Sequence, residues 1–138
     1  MKTLFAAIAI LSAGASTALA GPAGDMAKAH IEAIAKGDSA AVTAAYAPSA
    51  TLHWVGGPLD GTYTGPEIAA TWAKFAKAQT GLKATVVEMR ESMNPKGATV
   101  VADVVFTNDN KIPVRYVMLF RDGKLADDIW QIDPTLAK

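Results

Sequence analysis

The stretch from Ala98 to Asp133 constrains this chain more than any other. Apolar residues alternate through three segments, broken once by Asn108-Asp109-Asn110 and once by Asp122-Gly123. A period of two marks strands with one buried face, and Asn-rich or Asp-Gly breaks mark tight hairpins. The stretch therefore predicts a curved antiparallel meander, one face of which the upstream residues must cover.

Upstream, Asp25 is placed to cap a helix with an Ala-rich interior from Met26 to Lys36, ended by Gly37. Asp38 or Ser39 caps a second, short helix in which Val42, Ala45 and Tyr46 share a face, with Pro48 as its stop. Ala50 to Val55 reads as a strand with Leu52 and Trp54 on one side and Thr51 and His53 on the other. Pro66 opens a third helix carrying Ile68, Trp72 and Phe75 at helical spacing, and Gly81 closes it. Strands follow to the end. Helix, helix, strand, helix and four strands make an α+β pattern, with three helices on one face of a sheet.

The first twenty residues are set apart. Lys2 precedes an apolar run from Leu4 to Ala15, and Ala18-Leu19-Ala20 has the small-x-small form of a secretory cleavage site. The run is shorter than the roughly 20 residues of a membrane-spanning helix. Residues 1–20 are therefore expected to be a cleaved signal peptide, and residues 21–138 a single periplasmic or secreted domain with no membrane contact. Removing twenty of 138 residues leaves 118, enough for one core, and loss of Lys2 leaves 12 basic against 13 acidic residues. That balance argues against nucleic acid as a partner. With no cysteine, disulfides, thiol chemistry and thiolate metal ligands are excluded.

The chemistry on offer is sparse. His30 and His53 are the only side chains that ordinarily titrate near neutrality, and their spacing suggests no metal site. No cofactor fingerprint, phosphate-binding loop or nucleophile elbow occurs. Among the aromatics, Phe75 and Phe106 read as core, while Tyr46, Trp54, Trp72 and Trp130 are candidates to line a pocket. Asp103, Asp127 and Asp128 sit within strand patterns that disfavour aspartate. A two-residue turn at Asp122-Gly123 pairs Arg121 with Lys124, and an unbroken ladder then sets Val117 opposite Asp128 and Arg115 opposite Trp130, all on one face. A three-residue loop at Asn108 to Asn110 pairs Asp103 with Arg115, whereas a two-residue loop turns Asp103 outward. The former is preferred, because asparagine tolerates the left-handed conformation. Arg115 is then expected to be a buried partner of Asp128, and its removal strongly destabilising.

The runs Ala29 to Asp38, Ala50 to Trp54, Tyr63-Thr64-Gly65 and Phe120 to Leu125 resemble the nuclear transport factor 2-like superfamily in its SnoaL-like branch. The resemblance spans roughly Met26 to Asp133. It implies a cone-shaped, cystatin-like α+β fold whose curved sheet and helices enclose a pocket, and often a homodimer through the outer face of the sheet; with helices on one side only, apolar positions such as Val104 or Tyr116 are expected to lie uncovered on that outer face. Matched against ketosteroid isomerases, the oxyanion tyrosine falls on His30, the general base on Trp54 and the second acid on Val117. Matched against limonene-type epoxide hydrolases, one acid falls on Asp103, but the arginine becomes Val101 and the other acid Trp130. Asp128 lies in the strand that bears the acid of the SnoaL-type cyclases.

Three readings follow. The first is a binding domain for a small, largely apolar molecule, lined by Tyr46, Trp54, Trp72, Arg115, Val117 and Trp130. The second is an isomerase, cyclase or hydrolase using His30, Asp103 or Asp128 as acid or base. The third is a dimerisation or docking scaffold whose pocket is filled by its own side chains, Trp54 and Trp130 among them.

Overall fold

The computed structural model describes residues 21–137, so the expected leader lies outside the described residues. The elements are α1 (Pro22–Lys36), α2 (Ser39–Ala44), β1 (Tyr46–Val55), β2 (Gly61–Thr64), α3 (Pro66–Ala78), β3 (Lys83–Asn94), β4 (Gly97–Thr107), β5 (Lys111–Arg121) and β6 (Lys124–Ile132), with a closing 3₁₀ turn. The strands form one sheet in the order β2-β1-β6-β5-β4-β3. It is antiparallel except where the end of the meander, β6, arrives beside β1 in the same direction.

Local chemistry accounts for most boundaries. Pro22 opens α1, where its missing N–H costs nothing, and Gly37 ends it at φ 70° in the left-handed region. Asp25 lies in the first turn rather than at the cap, where its charge faces the positive end of the helix. Asp38 caps α2 by accepting from the Ala41 N–H at 3.1 Å. The second helix is shorter than its spacing suggests. It stops at Ala44, because Tyr46 pairs with Leu125 and the Ala45 carbonyl accepts from Leu125 N–H at 2.8 Å. Sheet pairing here outweighs a weak helical pattern.

The inner face of the sheet holds the core. Ala98, Val100, Ala102, Val104 and Phe106 of β4 face inward beside Val114, Tyr116, Met118 and Phe120 of β5, and all are buried. Leu52, Trp54, Leu125 and Trp130 extend the layer, and Ile31, Ile34, Val42, Ile68, Trp72 and Phe75 cover it from the helices. Two glycines are constrained for different reasons. Gly123 follows Asp122 in the β5–β6 turn at φ 73°. Gly97 allows close approach, since a Cβ there would lie 2.5 Å from the Phe120 carbonyl oxygen.

The β5–β6 ladder departs from the expected register. Arg121 pairs with Lys124 as the turn dictates, and Phe120 with Leu125, but Leu119 then pairs with Asp127, leaving Ala126 as an extra residue. This bulge shifts every later pair by one. Met118 faces Asp128 and Tyr116 faces Trp130, in place of Val117 and Arg115. The three-residue hairpin is as expected, with Thr107 opposite Lys111 and Asp103 opposite Arg115. Both of those residues lie on the outer face. The Arg115 guanidinium donates to Asp103 at 3.1 Å with its side chain 49% exposed, so Arg115 is no buried partner of Asp128. Val104 and Tyr116, expected uncovered, are fully buried, and the outward row is instead Val101, Val117 and Ile129.

Candidate functional site

Five elements bring one polar cluster into the otherwise apolar interior. Asp128 from β6 is buried, and its Oδ2 accepts from the hydroxyls of Tyr116 on β5 at 2.5 Å and of Tyr46 on β1 at 2.6 Å. Trp72 of α3 donates its indole N–H to Tyr46 at 2.9 Å, and His30 Nε2 of α1 lies 2.8 Å from the Tyr116 hydroxyl. The two hydroxyl oxygens are 3.4 Å apart. Asp128 Oδ1, His30 Nδ1 and Trp130 Nε1 are buried without a protein partner among the described residues.

Burial dominates the electrostatics. It pushes the Asp128 carboxyl up to about 7 against the opposing pull of the Tyr116 and Tyr46 hydrogen bonds, and lowers His30 to about 4. Both tyrosines are raised well above their ordinary value, by burial first and then by the Asp128 charge. Near pH 7 the cluster holds a neutral imidazole and a carboxyl that keeps its proton far above the ordinary carboxylate range, joined through one hydroxyl. With the Tyr116 proton donated to Asp128, the hydroxyl oxygen is left to accept from His30 Nε2–H, so the three groups form one hydrogen-bonded chain.

The tryptophans fill the cone. Trp54, Trp72 and Trp130 lie at 5.1 Å from one another, and Phe106 and Tyr116 each stack within 5.2 Å of Trp130. Open space lies at two ends of this cluster. A cavity of about 410 Å³ at the mouth of the cone is walled by Trp54, Leu59, Phe75, Ile112, Pro113 and Ile132. A second, of about 330 Å³, runs between α1 and α2 and is bordered by His30, Met26 and Phe120.

A family model described as the SnoaL-like domain matches residues 27–127. The chain belongs to this family. No curated protein matches the sequence. Solved structures similar to this SnoaL-like domain include a nuclear transport factor 2-like protein of unknown function from Pseudomonas putida KT2440, 13% identical over 78% of this chain and 81% of that one, with TM-score 0.67. A protein of unknown function with a cystatin-like fold from Nostoc punctiforme is 17% identical over 80% and 88%, with TM-score 0.66. A candidate polyketide cyclase from Sinorhizobium meliloti is 20% identical over 78% and 94%, with TM-score 0.54. At these identities the likeness concerns the fold.

Within the SnoaL-like fold, the expected site residues divide. His30, Tyr46, Trp72 and Asp128 meet in the polar cluster, Trp54 and Trp130 pack against it, and Trp54 also reaches the mouth cavity. Asp103, Arg115 and Val117 are corrected to the outer face, because the Ala126 bulge inverts the inferred register. Tyr116 is the member of the cluster that sequence reasoning missed. The signal was present: Val114, Tyr116, Met118 and Phe120 alternate with Arg115, Val117, Leu119 and Arg121. A strand with two arginines on one parity and two aromatics on the other buries the aromatics. Among the described residues, no group of three or more His, Asp or Glu is placed to hold a metal.

Proposed function

We propose that this SnoaL-like domain is an exported binding protein for a small, largely apolar molecule, held in the cavity at the mouth of the cone rather than at its centre. The observation that carries this reading is the apolar space of about 410 Å³ ending on Trp54, a size and character common in small-molecule sites. The filled interior gives the cavity a rigid aromatic floor. N-phenyl-1-naphthylamine, an uncharged fluorescent probe, is expected to bind the wild type and to lose binding in Ala78→Phe, which projects a ring from the α3 wall into the cavity. Equal probe binding by both proteins would sink the reading.

A second reading is favoured by the buried His30–Tyr116–Asp128 chain, in which the Asp128 carboxyl would serve as acid and base in an isomerase or cyclase reached from the cavity over His30. Hydrogen–deuterium exchange α to the carbonyl of a ketone panel, abolished by Asp128→Asn, is the outcome this predicts. No exchange above the rate in buffer would remove it.

For the partner, we propose a second copy of the chain on the outer face. There Val101, Val117 and Ile129 form one row across β4, β5 and β6, flanked by the Arg115–Asp103 and His53–Asp127 pairs. Ile129 is 38% exposed. Light scattering at high micromolar concentration should give a dimer mass, and Val117→Glu should return a monomer; a monomeric wild type would refute this.

A further inference from the structure

Resting on the binding reading above, we infer that the molecule held at the mouth of the cone is an amphipathic monoanion: an apolar aromatic or medium-chain body with one carboxylate-type head. The walls set the first half. Trp54 and Phe75 supply flat apolar surface, and Ile112, Pro113 and Ile132 close the opposite side. Such a surface rejects a polar body, because each buried polar group would lose its hydration with no compensating hydrogen bond.

The polar groups of the lining set the second half. Its charged side chains are Lys74 from α3 and Lys111 from the start of β5, and no carboxylate is among the lining residues. Among the described residues, no Asp or Glu oxygen lies within 4 Å of either ammonium; the carboxylates that do have a basic side chain that close are Asp103, beside Arg115, and Asp127, beside His53. Carboxylates close to the mouth in sequence are engaged elsewhere. Asp60 accepts from the Gly56 N–H at 2.7 Å, and Asp133 Oδ1 accepts from the Thr135 hydroxyl at 2.6 Å and N–H at 3.1 Å. Gln79, the remaining polar side chain of the lining, already accepts from Asn108 Nδ2 at 3.3 Å through its Oε1, which leaves its amide protons to donate.

The side chains around this apolar cavity therefore offer donors and positive charge. Lysine stems also extend apolar surface while keeping the ammonium in water. A body lying on Trp54 and Phe75 would leave its head group among lining residues whose charged members are Lys74 and Lys111, both positive. An alcohol of the same length would gain the walls but not the charge, and an amine would be repelled.

Displacement of N-phenyl-1-naphthylamine from the full chain by octanoate, octanol and octylamine tests this. Octanoate is expected to displace the probe at a concentration at least tenfold below that of octanol, with octylamine weakest, and the advantage should shrink as salt rises. Lys74→Met and Lys111→Met should each reduce the octanoate advantage, and together remove it, while octanol displacement stays as in wild type. Ala78→Phe, which loses the probe, supplies the no-binding baseline. If the probe binds and all three compete equally, the monoanion inference is overturned and the apolar cavity stands. If the probe does not bind, the binding reading falls and this inference with it. Loss of octanol displacement in the lysine variants would mean that the lysines shape the cavity rather than select charge, and would also overturn the inference.

Discussion

Replacing Asp128 with asparagine should change how stability depends on pH rather than simply lower it. The folded protein holds the Asp128 proton up to about pH 7, against an ordinary value of 3.8. Folding thus takes up a proton between these limits. The stability associated with this group is fully present below about pH 4 and is lost as pH rises through 7. At roughly 1.4 kcal/mol per pH unit the loss is about 4 kcal/mol at most, and about 3 kcal/mol is a reasonable expectation after relaxation around the ionised group. His30 acts in the opposite direction. Its folded value of about 4 lies below the ordinary 6.5, so its contribution is lost as pH falls through that window. Between about pH 4 and 6.5 the two slopes offset each other in the wild type. Asparagine can still accept from both tyrosines but carries no titrating proton. Asp128→Asn should therefore become more stable relative to wild type by about 3 kcal/mol from pH 4 to pH 8, which is on the order of 1–3 M in urea midpoint for a domain of this size. Urea unfolding followed by the fluorescence of the three tryptophans reads this directly, and the difference between the two proteins cancels titrations they share. Parallel profiles across the whole range would refute the buried, proton-holding carboxyl.

Arg115→Leu should leave the urea midpoint close to wild type, because its half-exposed guanidinium pairs with Asp103 on the outer face and touches nothing in the core; a large loss would restore the inward register. Gly97→Ala should cost about 1–3 kcal/mol, since its Cβ would meet the Phe120 carbonyl oxygen at 2.5 Å and force β4 and β5 apart. An unchanged melting temperature would contradict that close approach. Export with cleavage after Ala20 should give an intact mass beginning at Gly21. The Glu91 carboxylate lies where a Gly21 Cβ would project, with one oxygen buried and unpaired among the described residues. A freed Gly21 ammonium would pair with that carboxylate, so Glu91→Gln should lower the melting temperature of the cleaved chain more than that of a chain retaining Ala20. Equal shifts in the two would remove this pairing.

The sequence by itself determined whatever depends on local pattern. Period-two alternation located β3 to β6, Gly37 and Asp38 marked the break between α1 and α2, and Pro66 opened α3, because turn and cap chemistry acts within a few residues. The same locality made the family resemblance readable. Trp54, Trp72 and Trp130 were recognisable as residues that must share an interior. Their mutual contact was not, since they sit on β1, α3 and β6, and only closure of the sheet brings those elements together. The sharpest divergence was Ala126. A turn sets register only while the ladder stays regular, and one bulged residue inverts the facing of everything beyond it. Arg115 and Val117 therefore moved to the outside and Tyr116 to the centre. Tertiary structure alone decided that Tyr46, extracted from an apparent helix by pairing with β6, reaches the same carboxylate oxygen as Tyr116. A buried acid with two hydroxyls on one oxygen is a property of three strands meeting, and no single stretch of the chain contains it.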